Sequence, residues 1–226
     1  MIELSLPEPP ERIPLPLELR TVKGAPTTAP PRLDDRVILG DPAALRLTPE
    51  AVSGDTDLRA FVMAERARAC YWLVQFTCTF EHDDDVPFAT AWIQLHLGTE
   101  GGTAIAHSME PARLAQARTI SWSAKLVVPC VLQPEVGIGG DRTTEEVFCE
   151  ASREGTAQPS WKYFRTSSLI RGLQRMRLVV RTPSESGLSA TVRIGATASH
   201  QRFGHRSLSY DMPAAPARPW LDMPPE

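Results

Sequence analysis

The sequence predicts a mainly β protein: an antiparallel β-sandwich of the Ig-like or jelly-roll-like kind, with one short helix and proline-rich arms at both ends. Apolar and polar residues alternate in at least six short segments, as they do along half-buried strands. Only one segment has helical periodicity, so the strand–helix rhythm of a βαβ fold is missing. Prolines collect at the ends: ten of the 21 lie in residues 1–49 and five in residues 211–226.

The proline distribution divides the chain into three parts. We expect an extended arm or linker over residues 1–35, a single β-sandwich domain over residues 36–210 and a tail over residues 211–226. Proline lacks an N–H donor and restricts the residue before it, so the N-terminal arm cannot be helical. Apolar residues at every second position from Ile13 to Leu19 predict an arm that lies along a sheet.

The central domain contains the helix and the strands. The helix is predicted near residues 57–69, with Asp55 or Thr56 as its N-cap. Strands are predicted at ACYWLVQFTCTF, FATAWIQLHL, ISWSAKLVVPC, EVFCEA, SWKYFRT, LQRMRLVVRTP and SATVRIGATAS. The first two are expected to be neighbours, and the last two to form a hairpin. The glycine-rich VGIGGDRT is interpreted as a flexible connection between strands.

Composition excludes several classes of protein. A hydrophobic content of 42% with 23% charged residues is ordinary for a soluble domain. No apolar run approaches the roughly 20 residues of a membrane-spanning helix, and the N-terminus has no secretory signal. We therefore expect a cytoplasmic protein. The cysteines are scattered without a CxxC pair, which predicts buried thiols instead of disulfides or zinc ligands; they are Cys70, Cys78, Cys130 and Cys149.

The segment EHDDD is the one candidate metal site. Asp83 and Asp85 are the better ligands because alternate residues share a face, and His82 lies beside them. The spacing of an EF-hand is absent, and aspartates are well solvated in turns. A solvated loop is the favoured interpretation, and a calcium-dependent or other metal-dependent domain or enzyme stays open as an alternative. Otherwise no cofactor is expected.

No catalytic motif is present in the sequence. It contains no HExxH, no G-x-S-x-G elbow and no phosphate-binding glycine motif. A triad assembled from remote segments could not be recognised in one sequence. We therefore lean against an enzyme.

Charge is distributed unevenly along the chain. Residues 1–150 carry 13 Lys+Arg against 22 Asp+Glu, a balance of −9, whereas residues 151–210 carry 10 against 2, a balance of +8. The predicted hairpin would gather four arginines on one sheet face: Arg175, Arg177, Arg181 and Arg193. This face is either a solubility feature or a dock for an acidic partner, and nucleic acid, a foreign protein and the acidic N-terminal region of another copy all fit.

The tail carries Trp220 and Leu221 in a proline-rich context. Tryptophan is a common anchor of protein interfaces, and an extended proline-rich peptide loses little entropy on docking. The alternative is a tail that folds back onto its own domain.

These features together predict a non-catalytic protein-interaction or assembly module that uses the arginine face and the tail. Its partner would be a protein or another copy of the chain, within a bacterial multi-component system such as defence or secretion. Two alternatives stay open: a nucleic-acid-binding β domain, and the metal-dependent domain described above. A membrane-inserting role is disfavoured, although it is not excluded by the sequence because pore-forming β proteins conceal amphipathic hairpins in the soluble state.

Overall fold

The computed structural model describes residues 12–15, 17–19, 36–81, 87–125, 137–166, 170–200, 206–211 and 220–224. Within these residues the chain forms one helix, α1 (Thr56–Glu65), and fourteen strands. The first seven strands are β1 (Arg12–Leu15), β2 (Glu18–Leu19), β3 (Val37–Gly40), β4 (Ala43–Arg46), β5 (Ala69–Phe80), β6 (Phe88–Gly98) and β7 (Ile105–Glu110). The other seven are β8 (Arg113–Lys125), β9 (Gly137–Ser152), β10 (Ser160–Phe164), β11 (Gly172–Pro183), β12 (Leu188–His200), β13 (Arg206–Asp211) and β14 (Leu221–Met223).

The described strands form two antiparallel sheets that pack face to face, which confirms the predicted β-sandwich. The first sheet has the order β1-β3-β5-β11-β7, with β4 also paired to β5. The second has the order β2-β13-β12-β6-β10-β9-β8, with β14 also paired to β12. All of the pairings between described strands are antiparallel. The one described helix, α1, lies between β4 and β5 in the chain.

The alternation in the sequence explains which side chains form the core. Every second residue of β5 from Cys70 to Phe80 is buried, and the same holds in β6 from Ala91 to Leu97. Trp161, on β10, completes the centre of the core, where its ring lies edge-on to Phe76 from the other sheet at 5.6 Å between centroids. Two-residue periodicity therefore places the apolar set between the sheets, as predicted.

Helix α1 lies on the outer side of the first sheet. Asp55 caps it as predicted: its carboxylate accepts hydrogen bonds from the backbone N–H groups of Asp57 and Leu58 at 3.1 and 3.0 Å. The helix is shorter than the predicted 57–69, because the chain turns after Glu65 and enters β5 at Ala69. No helix among the described residues is long and apolar enough to cross a membrane.

Two predicted strand pairings are wrong. β11 and β12 do not form a hairpin, because β11 pairs with β5 and β7 while β12 pairs with β6, β13 and β14. β5 and β6 likewise belong to different sheets. Packed sheets lie about 10 Å apart, and the four residues 184–187 can extend about 13 Å, so this short connection is long enough to cross between the sheets.

Parts of both proline-rich arms belong to the sheets. β1 pairs with β3, and β2 pairs with β13. Leu15 and Leu17 are buried in the main core. At the other end of the chain, β14 pairs with the start of β12 through residues 221–223.

Candidate interaction surfaces

The four arginines of the expected basic face do not form one surface. Arg175, Arg177 and Arg181 lie on β11 in the first sheet, whereas Arg193 lies on β12 in the second sheet. The expectation of one four-arginine face is therefore wrong, because the chain crosses from the first sheet to the second between β11 and β12. Arg193 is exposed and is paired in register with Gln94 of β6.

The three arginines of β11 do not form one continuous charged surface either, because apolar packing separates Arg181 from the other two. They occupy alternate positions on the outer face, and Val179 lies between Arg177 and Arg181 on that face. Val179 packs against a second apolar cluster formed by α1, the segment before it and the start of β5, which includes Val62 on α1 and Tyr71 on β5. The helix thus covers the middle of this row of side chains.

Arg177 has a defined structural partner. Its Nε donates a hydrogen bond of 3.0 Å to Oε1 of Gln75, the residue paired with it on β5. Gln75 is only 7% exposed, so the amide oxygen depends on protein donors. Arg177 therefore supports the sheet in addition to carrying charge.

Trp220 and Leu221 pack on their own domain. The ring of Trp220 lies edge-on to Phe76, with centroids 4.9 Å apart, and Leu221 is 5% exposed. The structure thus corresponds to the tail that folds back, the second of the two alternatives. Nε1 of Trp220 has no hydrogen-bond partner among the described residues.

The candidate metal ligands His82, Asp83 and Asp85 lie outside the described residues. Within the residues that are described, no group of three or more His, Cys, Asp and Glu side chains is placed to hold a metal ion.

The described cysteines are free, buried thiols, as predicted: Cys70, Cys78 and Cys149. Cys130 lies outside the described residues. Burial raises the pKa of Cys149 to about 11 and raises that of Cys78 further, so both stay protonated near neutral pH. The thiolate is the nucleophilic form, which makes these two residues poor candidates for covalent catalysis.

A cavity of about 80 Å³ lies where β4, α1 and β5 meet. Arg46 and Arg66 contribute to its lining beside mostly apolar groups. The guanidinium of Arg46 donates to Sγ of Cys70 at 3.2 Å and lies 5.9 Å from the Trp72 ring. Arg46 is thus held within the protein, and the cavity is large enough only for a very small ligand.

A two-stranded ribbon extends beyond the body of the second sheet. It consists of residues 115–125 of β8 paired with residues 137–147 of β9. Because β9 pairs with β10 only through residues 149–152, no third strand flanks the ribbon among the described strands. At about 3.3 Å per residue, its eleven-residue strands are about 36 Å long. Leu114, at its base, is 43% exposed.

Sequence reasoning recognised only fragments of this ribbon. The segments ISWSAKLVVPC and EVFCEA were expected to contain separate short strands, and VGIGGDRT a flexible connection. In the structure, residues 137–152 form one continuous strand. Glycines lower strand propensity, so the segment itself does not indicate a strand. Its long regular register with residues 113–125 does, but that register can be recognised only when the partner strand is known.

Comparisons with known proteins show no family for this chain. No protein-family profile matches the sequence, and no curated protein matches it. Among solved structures, the chain is similar to the Clostridium perfringens NetB toxin in the membrane inserted form, with 8% sequence identity and a TM-score of 0.34. The similarity covers 92% of this chain and 93% of that chain. A similarity at this level carries no argument about function.

Proposed function

We propose that this chain is a non-catalytic assembly protein that associates with other copies of itself through the ribbon of residues 115–125 and 137–147. The observation that carries the proposal is the position of the ribbon: two paired strands extend past the sheet, and no described strand covers either long edge. The proposed class of function, an assembly module, is the one expected from the sequence. The proposed contact surface is the ribbon instead of the arginines and the tail.

Backbone chemistry supports this choice of surface. An edge strand presents unpaired N–H and C=O groups and is a ready template for another strand. An isolated two-stranded hairpin is at best marginally stable in water, and a third strand stabilises it. A ribbon with no described strand paired to either long edge can receive such a strand on each side, so a neighbouring ribbon satisfies both requirements.

The test is a chain in which the ribbon is shortened. Arg118 and Thr144 are paired in register, so replacing residues 119–143 by Asn-Gly closes the hairpin with a two-residue turn. We expect the full chain to form oligomers in light scattering after size exclusion, with the oligomeric fraction rising with concentration. The shortened chain should stay monomeric and keep a cooperative thermal unfolding transition, which shows that its sandwich is folded. A full chain that stays monomeric, or a folded shortened chain that assembles equally well, would overturn the proposal.

A second candidate function is contact of the ribbon with a lipid bilayer. In the sequence, Ile120, Trp122 and Ala124 alternate with Ser121 and Ser123, so residues 120–124 of β8 give one apolar and one polar set. Gln116 and Arg118 precede the apolar set at the same alternate positions. A strand needs about 9–11 residues to cross the hydrocarbon core, and each strand of the ribbon has eleven. The length and the alternation are what favour this candidate.

Dye release from vesicles of phosphatidylcholine and phosphatidylglycerol tests the second candidate. The full chain should release dye and the shortened chain should not. Trp122→Lys places a charge in the apolar set and should abolish release, whereas Ser123→Lys, in the polar set, should leave it intact. Equal loss in both variants, or no release by the full chain, would contradict lipid contact without affecting the assembly proposal.

A further inference from the structure

The two strands of the ribbon carry opposite net charge. The β8 part, residues 115–125, contains two bases and no acid, a balance of +2. The β9 part, residues 137–147, contains three acids and one base, a balance of −2. The bases of the first part are Arg118 and Lys125, and the charged residues of the second are Asp141, Arg142, Glu145 and Glu146. Each long edge of the ribbon therefore has its own sign.

The sign of each edge decides which edges can meet. In a two-fold symmetric contact the same strand of each copy meets itself, so β8 would face β8, or β9 would face β9. Both arrangements place like charges on neighbouring strands, which is destabilising. In a head-to-tail contact β8 of one copy faces β9 of the next, and the charges alternate from strand to strand.

Strand direction agrees with the head-to-tail arrangement. β8 and β9 are antiparallel within the ribbon. If all ribbons point the same way, β9 of one copy is also antiparallel to β8 of the next copy. The hydrogen-bonding pattern of the ribbon then continues from copy to copy without a change of type.

We propose that copies of this chain associate head to tail, with β8 of one ribbon beside β9 of the next. This inference rests on the proposed function and adds which edges meet and what symmetry follows. A head-to-tail contact leaves one free edge at each end, so it closes into a ring or grows as an open filament and does not stop at a dimer. The partner of each copy is a second copy of this chain.

Cross-linking between singly substituted copies tests the arrangement. In a Cys130→Ser background, one variant carries Ala117→Cys on β8 and another carries Thr144→Cys on β9. A bis-maleimide should join the two variants when they are mixed, and each variant alone should give at least several-fold less product. Strong cross-linking of the Ala117→Cys variant with itself would show a two-fold contact and overturn the inference.

Charge reversal gives an independent test with a built-in rescue. Arg118→Glu with Lys125→Glu changes the β8 part from +2 to −2, so both parts are acidic. Asp141→Lys with Glu145→Lys changes the β9 part from −2 to +2, so both parts are basic. Each variant alone should lose assembly, and an equimolar mixture should recover it. Each pair of opposed charges raises the association constant by about 1.4- to 5-fold. Added salt should weaken both the native assembly and the mixture.

The outcomes separate this inference from the proposed function. If shortening the ribbon abolishes assembly while the cross-links join like strands, the function stands and the head-to-tail arrangement is wrong. If the charge-reversed variants assemble alone as well as the native chain does, the charges do not select the edges and the inference is also wrong. Loss of assembly in each variant with recovery in the mixture supports it.

Discussion

The ring of Trp220 lies edge-on to the ring of Phe76, with 4.9 Å between their centroids, and this contact joins the C-terminal tail to the core of the sandwich. Phe76 is fully buried on β5, in the opposite sheet from the strand that follows Trp220. The tryptophan expected to anchor a partner thus contributes to the packing of its own domain.

Replacing Trp220 by alanine should destabilise the protein. The half-buried ring loses its contact with Phe76, and a loss of about 2–3 kcal/mol in the free energy of unfolding is expected, below the range for a fully buried tryptophan. Urea denaturation measures it. Trp220→Phe keeps an aromatic ring and should lose less. Unchanged stability would mean that this packing contributes nothing in solution. If the full chain is an oligomer and a chain that ends at Tyr210 is a monomer, the tail is an assembly surface after all.

Arg177→Ala should lower stability more than Arg193→Ala. Removing the guanidinium leaves the amide oxygen of Gln75 without its donor at a nearly buried position, at a cost of about 1–2 kcal/mol. Arg193 is an exposed arginine on the other sheet, and its replacement should change stability by less than about 0.5 kcal/mol. Thermal melts of the two variants make the comparison, and equal effects would show that the bond to Gln75 adds no stability.

Gly195→Ala should be destabilising because Trp92 occupies the space that the new methyl group needs. A Cβ at this position would lie 2.5 Å from atoms of the indole ring, and overpacking of this kind costs about 1–3 kcal/mol. A double-mutant cycle with Trp92→Leu, in which the smaller side chain relieves the clash, should recover part of the loss. Strictly additive losses would place the cause elsewhere than the indole ring.

Stability should fall at alkaline pH because of the buried thiols. Burial raises the pKa of Cys149 from 9.0 to about 11, so the folded state holds a proton that the unfolded state releases. The contribution of the protonated Cys149 thiol to the free energy of unfolding is complete below pH 9 and is lost as the pH rises toward 11. The loss is at most about 1.4 kcal/mol per pH unit for one group. Unfolding free energies measured across this range should show the slope, and Cys149→Ala should reduce it. An unchanged slope in that variant would assign the effect to other groups.

Alternation in single segments was enough to predict the strands of the core. In ACYWLVQFTCTF and FATAWIQLHL the same two-residue period that defines a strand also selects the buried face, because successive side chains point to opposite sides. The N-cap at Asp55 was equally local, since its carboxylate bonds N–H groups only two and three residues away. These features depend on residues that are close together in the chain, and they can therefore be predicted from the sequence.

The expected arginine surface depended on a strand pairing, and that is where sequence reasoning was wrong. Arg181 and Arg193 lie only twelve residues apart, yet they belong to different sheets. Each strand has an apolar inward face whether it lies in one sheet or the other, so the alternation is identical in the two cases. The ribbon escaped prediction for a related reason, since its glycine-rich strand is recognisable only through its register with residues 113–125.

The sequence by itself determined that this chain is a β-sandwich, which residues of its main strands face inward and where its helix begins. Only the tertiary structure decided which strands pair, whether Trp220 is free or packed, and that two strands continue beyond the sheet as a ribbon with edges of opposite charge. The physical reason is the range of the interactions: side-chain alternation and capping act within a few residues, whereas pairing is decided by packing and hydrogen bonds between segments far apart in the chain.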